Sequence, residues 1–181
     1  MTEPVDGESL RQTMRRVPSP VTVVTAATER EARGITIGSF TSVSLEPPLI
    51  CFNVDRSARM HPVITEASRF AVHILGDHQA HLSDHFAIPD LSGAEQFESV
   101  AHRINAHGTP ILDDVTAVFH CTPHDAFEAG DKTIIIGQVV EIDADVDRGA
   151  VLYYQRSYRA VGDEVRSTVL SPVKRASSDT S

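Results

Sequence analysis

Residues 34–49 read GITIGSFTSVSLEPPL and combine glycine, small hydroxyl side chains and one aromatic residue in a single extended segment. Such a segment exposes many backbone N–H and C=O groups, because little side-chain bulk stands in front of them. A packed core would require larger apolar residues. The pattern therefore fits a wall against the polar edge of a planar ring or against a phosphate. A second interpretation stays open: a barrel strand whose glycines mark bends or bulges.

The segments on both sides of residues 34–49 favour β-structure. Apolar and β-branched runs predict strands at 21–25, 49–54, 70–75, 115–127, 133–145 and 151–154. Helical periodicity predicts short helices at 8–17, 59–67 and 78–86, and a helical turn near Phe97. Gly130-Asp131 predicts a tight turn between the two longest strands. The helices are too few for alternating βα units, so we predict a mainly β protein with an antiparallel, closed or nearly closed barrel.

Length and composition restrict the classes of protein that fit. The chain has 181 residues and a net charge of −9, with no cluster of lysine and arginine in its body. We therefore expect one domain and no nucleic-acid partner. No run of about 18 apolar residues is present, so no membrane span is expected. The acidic N-terminus lacks the apolar region of a secretory signal, which favours a cytoplasmic protein.

The ends of the chain differ in composition from its body. We predict a flexible N-terminus at 1–8, a folded domain at 9–165 and a polar, disordered tail at 166–181. Cys51 and Cys121 both lie in apolar runs, and we expect free, buried thiols.

Two nucleotide-binding motifs are missing from the sequence. Neither a Walker loop nor a Rossmann GxGxxG occurs, and Gly34-x-x-x-Gly38 has the wrong spacing for both. A dinucleotide, if bound, is therefore held in another manner. Asp55-Arg56-Ser57-Ala58-Arg59 offers a phosphate site instead, because it follows a predicted strand and precedes a predicted helix. Ser57 and Arg59 add a hydroxyl and a cation, although Ser57 could equally act as a helix cap.

Metal binding is a competing interpretation. His78, His81 and His85 are spaced to share one helix face, which could hold zinc or nickel. No cysteine or Glu-x-x-His pattern supports such a site, so an exposed polar helix face is favoured and no metal is assigned.

Seven segments of the chain, in this order, carry a family resemblance. They are VTVVT at 21–25, GITIGSFTSVSLEPPL at 34–49, LICFNVDRSARMHPVI at 49–64, SRFAVHIL at 68–75, LSDHFA at 82–87, EAGDKTIIIGQV at 128–139 and VLYYQRSYR at 151–159. From Leu10 to Tyr158 the chain resembles the flavin reductase-like family, the short-chain reductase components of two-component flavin monooxygenases. The RSARMHPVI stretch is particularly similar to styrene-type reductases.

The resemblance implies a fold and an activity. The implied fold is an FMN-binding split β-barrel, assembled as a homodimer. The implied activity is hydride transfer from NADH or NADPH to FMN or FAD, with reduced flavin supplied to a partner monooxygenase. The cofactors carry this chemistry, so no general base is needed and no catalytic residue is assigned. A non-catalytic flavin carrier with the same fold remains an alternative.

The resemblance also implies site residues. Flavin contacts are expected from Thr36, Ile37, Gly38, Ser39, Phe40, Ser42, Val43, Asp55, Ser57, Arg59, His85 and Phe86. NAD(P)H contacts are expected from Lys132, Arg156 and Tyr158. Four positions depart from the family pattern: His85 replaces an arginine, Lys132 a histidine, Gly38 an asparagine or serine, and Pro20 a glycine. Lys132 could also be a solvated turn residue, and Gly38 favours weak flavin binding.

Overall fold

The computed structural model describes residues 3–145 and 147–162. Its strands are β1 (Ser19–Pro20), β2 (Thr22–Ala27), β3 (Ala32–Ile37), β4 (Thr41–Leu45), β5 (Pro48–Asp55), β6 (Phe70–Ile74), β7 (His102–Ile104), β8 (Pro110–Leu112), β9 (Ala117–Ala129), β10 (Lys132–Ala144), β11 (Val151–Tyr154) and β12 (Ser157–Ala160). Its helices are α1 (Gly7–Met14), α2 (Met60–Glu66), α3 (Ala80–Phe86) and α4 (Gly93–Glu98). Within the described ranges, no helix is both long and apolar enough to cross a membrane.

One antiparallel sheet of seven strands forms the centre of the molecule. Its strand order is β3-β2-β6-β9-β10-β5-β4. The two edge strands, β3 and β4, are consecutive in the chain and are joined only by residues 38–40. β3 also contacts β5 from the opposite side of the strand order. The sheet therefore curves round on itself, and the predicted mainly β, antiparallel fold with a few short helices is confirmed.

Two apolar clusters hold α2, α3 and α4 against this sheet. The first contains Phe52, Val54 and Phe70 from the sheet together with Val63 of α2. The second lies under α3 and α4 and contains Val23, Leu75, Phe86, Phe97 and Leu112. All of these side chains are less than a tenth exposed, so both sets of helices have fixed positions on the sheet.

The predicted hairpin between the two long strands is confirmed. Ala129 pairs with Lys132 across the turn, and Gly130 has a φ of +63°, a conformation that glycine adopts without steric cost. Gly137 in β10 lies against the ring of Phe70 so closely that a Cβ atom would not fit.

Several elements differ from the sequence prediction. α1 begins at Gly7, inside the segment predicted to be flexible, because the Asp6 side chain accepts a hydrogen bond from the Ser9 N–H. It ends at Met14 instead of Val17. The predicted helix at 78–86 is divided into a 3₁₀ turn at Asp77–Gln79 and α3. The short strands β1, β7, β8 and β12 were not predicted. The proposed tail at 166–181 lies outside the described residues.

Both cysteines are free, as predicted, but only Cys121 is buried, since Cys51 is half-buried. Burial raises the pKa of the Cys121 thiol to about 12, and desolvation also raises the pKa of Cys51. Neither thiol is therefore activated as a nucleophile.

Candidate functional site

The free edge of β3 is partly covered by a side chain that takes the place of a strand. The Gly34 N–H donates to Gln96 Oε1 at 3.1 Å, and Gln96 Nε2 donates to the Gly34 carbonyl at 3.0 Å. Peptide groups alternate in direction along a strand, so those of Thr36 face the same open edge as those of Gly34. Thr36 therefore presents an N–H and a C=O side by side at an edge that no strand among the described residues pairs with.

A cleft of about 550 Å³ runs along this edge, and we call it the edge cleft. It is lined by Arg33, Gly34, Ile35, Thr36, Asp55, Ser57, Ala58, Arg59, Met60, Phe86, Ala87, Ile88, Pro89, Asp90 and Gln96. The volume lies in the range of sites for cofactor-sized ligands.

Phe86 contributes to the apolar part of the edge cleft. Its side chain is 2% exposed, and its ring packs against Gly34 so closely that a Cβ at position 34 would lie 2.5 Å from two ring carbons. The sequence motif needs glycine at this point because the aromatic ring fills the space of a side chain. Phe86 was predicted as a flavin contact, and the structure brings it to the same cleft as Thr36.

The turn at residues 55–59 forms the opposite wall. Asp55 Oδ1 accepts hydrogen bonds from the Ser57 N–H at 2.9 Å and from Ser57 Oγ at 2.6 Å. Lys132 Nζ donates to Asp55 Oδ2 at 2.6 Å, and this bond, with those from Ser57, holds the pKa of Asp55 well below its ordinary value. Asp55 and then Asp131 raise the pKa of Lys132. The Lys132–Asp55 pair therefore stays charged at neutral pH.

The interpretation of Ser57 as a helix cap is wrong. α2 begins at Met60 with Arg59 as its N-cap residue, and no side chain caps it. The Ser57 hydroxyl donates to Asp55 instead. Arg59 is exposed, and its guanidinium donates to the Asp90 carbonyl at 3.1 Å across the edge cleft. Ser57 and Arg59 therefore lie on the same cleft as Thr36.

A smaller cleft of about 310 Å³ adjoins the first, and we call it the tyrosine cleft. It is lined by Ser19, Pro20, Val21, Thr36, Ile37, Gly38, Ser83, Asp84, Ala87, Tyr153 and Tyr158. Tyr158 Oη donates to Asp84 Oδ1 at 2.6 Å. Burial, and then the Asp84 carboxylate, raise the pKa of Tyr158. Thr36 and Ala87 line both clefts, so two ligands bound in them would meet at Thr36.

Four of the predicted flavin residues lie away from both clefts. Ser39 Oγ accepts a hydrogen bond from the Asn53 N–H, and Phe40 packs on Phe119 with ring centroids 5.4 Å apart. Ser42 and Val43 are exposed on β4. The single chain does not bring these four residues to Thr36.

His85 and Arg156 also lie outside the clefts. The His85 ring is hydrogen-bonded through Nε2 to the Gln96 carbonyl at 2.8 Å, so it contacts α4. Arg156 is exposed in the β11–β12 turn. The metal interpretation loses its shared helix face, because His78 belongs to the 3₁₀ turn and His85 is bonded to α4. Over residues 3–145 and 147–162, no group of three or more ligating side chains is placed to hold a metal.

Sequence reasoning missed two residues that shape the edge cleft. Gln96 lies on α4, whose start is marked by a capping box: Ser92 and Glu95 exchange hydrogen bonds. That Ser-x-x-Glu signal was available in the sequence. Arg33 is 7% exposed, pairs with Glu31 and donates to the Leu91 carbonyl at 3.2 Å. No sequence signal identified it.

Comparison with known proteins agrees with this geometry. Residues 14–162 match the family model described as flavin reductase like domain. A flavin reductase of Pseudomonas putida is 36% identical over 155 residues, which cover 85% of this chain and 89% of the relative. The reductase component of 4-hydroxyphenylacetate 3-monooxygenase from Thermus thermophilus is 34% identical, covering 84% and 95%.

A solved structure gives the same result. The NADH:FAD oxidoreductase SgcE6 of Streptomyces globisporus, in complex with NAD and FAD fragments, superposes with a TM-score of 0.82 at 33% identity. The alignment covers 91% of this chain and all of that chain. With an open strand edge between two adjoining clefts, and with a family model that spans most of its length, the chain belongs to the flavin reductase-like family.

Proposed function

We propose that the protein transfers hydride from NADH or NADPH to FMN or FAD, with the flavin in the edge cleft and the nicotinamide nucleotide reaching it from the tyrosine cleft. The observation that carries this proposal is the position of Thr36, whose unpaired peptide group lies where the two clefts meet. A flavin has a donor and acceptors along one ring edge, which matches an adjacent N–H and C=O.

The residues of the chain bind and orient. Thr36 would pair with the ring edge, Phe86 would supply an apolar contact, and Ser57 and Arg59 would hold the phosphate. The flavin supplies the chemistry when bound, by accepting a hydride. Thr36 Oγ1 donates to the Ser83 carbonyl at 2.6 Å. This bond fixes this part of β3 against α3 and so holds the two clefts in a constant position relative to each other. The protein would accelerate hydride transfer mainly by holding the two ligands in a fixed position relative to each other.

Lys132, Arg156 and Tyr158 remain proposed contacts of the nicotinamide nucleotide. Tyr158 is supported by its place in the tyrosine cleft. Lys132 is supported only through its ion pair with Asp55, which lines the edge cleft. Arg156 has no contact with either cleft in a single chain, so a role for it would require a second copy or a bound ligand that extends beyond the tyrosine cleft.

We propose that two copies assemble and that the reduced flavin serves a separate monooxygenase. The homodimer is supported by exposed apolar side chains on the central sheet, namely Val43, Leu45, Phe127, Val140 and Ile142. A cytoplasmic location is supported by the two free cysteines. We place the domain at 9–165, which is supported by the family match at 14–162. Light scattering on the purified protein measures the oligomeric state.

The test of the activity is oxidation of NADH and of NADPH, followed by absorbance without flavin, with FMN and with FAD. Flavin-dependent oxidation is expected, and the preferred pair identifies both nucleotides. Arg59→Gln should raise the flavin KM, because it removes the cation proposed to hold the phosphate. Arg16→Gln, an exposed change on the α1 side of the molecule, is the matched control. Flavin binding without any oxidation would overturn the reductase in favour of a carrier.

A further inference from the structure

A third cleft, of about 230 Å³, shares no lining residue with the edge cleft or the tyrosine cleft, and we call it the threonine cleft. It lies between the start of β6, the β7–β8 hairpin and the strands β9 and β10. Eight of its lining residues have polar or charged side chains: Arg69, Arg103, Asn105, His107, Thr109, His120, Glu141 and Asp143.

Thr109 has an unpartnered hydroxyl. Its side chain is 1% exposed, and its Oγ1 is the one buried side-chain polar atom in residues 3–145 and 147–162 without a hydrogen-bond partner. The backbone of Thr109 is satisfied, because its N–H donates to Asn105 Oδ1 and its carbonyl accepts from the Asn105 N–H. A buried hydroxyl without a partner is costly, so a polar ligand group or a solvent molecule that reaches it from the cleft would stabilise the folded protein.

One of the two acidic groups of the threonine cleft is already paired within the described residues. Asp143 is used by His120, at 3.1 Å from its Nε2, and by Arg103, at 3.5 Å. Glu141 is exposed at the rim.

Apart from the exposed Glu141 carboxylate, hydrogen-bond donors remain in the cleft. Arg69 is half-buried and has no carboxylate partner among the described residues. Asn105 Oδ1 already accepts the N–H groups of His107 and Thr109, which leaves its amide NH₂. A guanidinium, an amide NH₂ and a hydroxyl together match an acceptor with negative charge.

We propose that the threonine cleft is a second ligand site that binds a small oxyanion, a carboxylate or a phosphate group, through Arg69, Asn105 and Thr109. The cleft is smaller than the roughly 300 Å³ at which sites for drug-sized ligands begin, so a flavin or a dinucleotide does not fit inside it. The ligand is therefore a free anion or a small molecule with one anionic group.

The test compares wild type, Thr109→Val, Arg69→Gln and the control Arg16→Gln by thermal unfolding and by titration calorimetry. Inorganic phosphate and acetate are the two probes, each against chloride at equal ionic strength. Without probe, Thr109→Val should unfold at the same temperature as wild type or higher, because it removes an unsatisfied hydroxyl. With probe, the unfolding temperature should rise for wild type and Arg16→Gln only. Arg69→Gln should weaken binding roughly tenfold or more, since it removes a charged hydrogen-bond donor.

The two probes distinguish the source of the anionic group. Tighter binding of phosphate would indicate a phosphate ligand, and tighter binding of acetate would indicate a carboxylate. Equal stabilisation of all four proteins would show only general ion exclusion and would overturn the site. Absence of binding to wild type would overturn it as well. If Thr109→Val does not fold, the comparison of Arg69→Gln with Arg16→Gln decides the question.

Discussion

His73 should make the protein lose stability between pH 6.5 and pH 4. The ring is completely buried on β6, and both nitrogens are in use: Nδ1 lies 2.9 Å from the Val23 carbonyl, and Nε2 accepts from the Leu112 N–H at 3.2 Å. This arrangement requires the proton on Nδ1 and a neutral ring. Burial is the main cause that lowers the pKa of His73 from 6.5 to about 4.

The size and sign of the effect follow from this shift. Between pH 6.5 and pH 4, His73 is protonated in the unfolded chain but neutral in the folded chain, so the free energy of unfolding falls as the pH falls. The whole shift corresponds to about 3 kcal/mol of unfolding free energy, of which about 2 kcal/mol should be lost between pH 6.5 and 4.5. Above pH 6.5 and below pH 4, a change of pH has little further effect on the unfolding free energy through His73.

Urea unfolding at pH 7.5, 6.5, 5.5 and 4.5 measures this loss. His73→Gln keeps a donor and an acceptor but cannot be protonated, so its stability should vary less over the same range. His81→Gln, an exposed change on α3, should behave like wild type. Histidine NMR gives a direct check if His73→Gln is too unstable to study. A His73 resonance that titrates near pH 6.5, or equal pH dependence in wild type and His73→Gln, would refute the reasoning.

Three further predictions concern single positions. Gly34→Ala should destabilise the protein by about 1–3 kcal/mol and weaken flavin binding, because the added Cβ overlaps the Phe86 ring. The control Gly7→Ala should change neither property, because the space around Gly7 is open. Urea unfolding and flavin titration test both variants, and an unchanged flavin affinity of Gly34→Ala would contradict the placement of the edge cleft. Lys132→Met should leave the urea midpoint unchanged, because the Lys132–Asp55 ion pair is over a third exposed. The same variant should raise the KM for NADH or NADPH. An unchanged KM would show that Lys132 is only a residue of the turn. Arg156→Gly should raise the unfolding free energy by about 1 kcal/mol, because residue 156 has a φ of +63°, which glycine adopts more easily than arginine. A lower unfolding free energy, measured by urea unfolding, would show that the arginine side chain stabilises the fold.

The sequence predicted the β-structure well where local signals agree. The runs at 21–25, 49–54 and 133–145 correspond to β2, β5 and β10, and the Gly130-Asp131 turn is confirmed. The β11–β12 hairpin was missed because Gln155 and Arg156 both adopt positive φ. A two-residue turn of this kind is usually marked by asparagine or glycine, so the sequence carried no signal for it.

The candidate site was harder to predict than the strands. Thr36 and Phe86 were named from the family resemblance, and Ser57 and Arg59 also from their position between a predicted strand and a predicted helix; the structure brings all four to one cleft. The amide pairing of Gln96 with Gly34 was not predictable, because it depends on how α4 docks against β3. Likewise, the interpretation of Ser57 as a cap failed because Asp55 competes for its hydroxyl and the helix begins three residues later.

The ion pair between Asp55 and Lys132 has a consequence for the order of folding. It joins positions 77 residues apart, across the pairing of β5 with β10. That pairing must close a long loop, which places the protein among slowly folding, non-local topologies. The wall of the edge cleft at residues 55–59 takes its position only when β5 pairs with β10. A ligand that needs this wall cannot guide early folding, and its binding is expected to slow unfolding without accelerating folding.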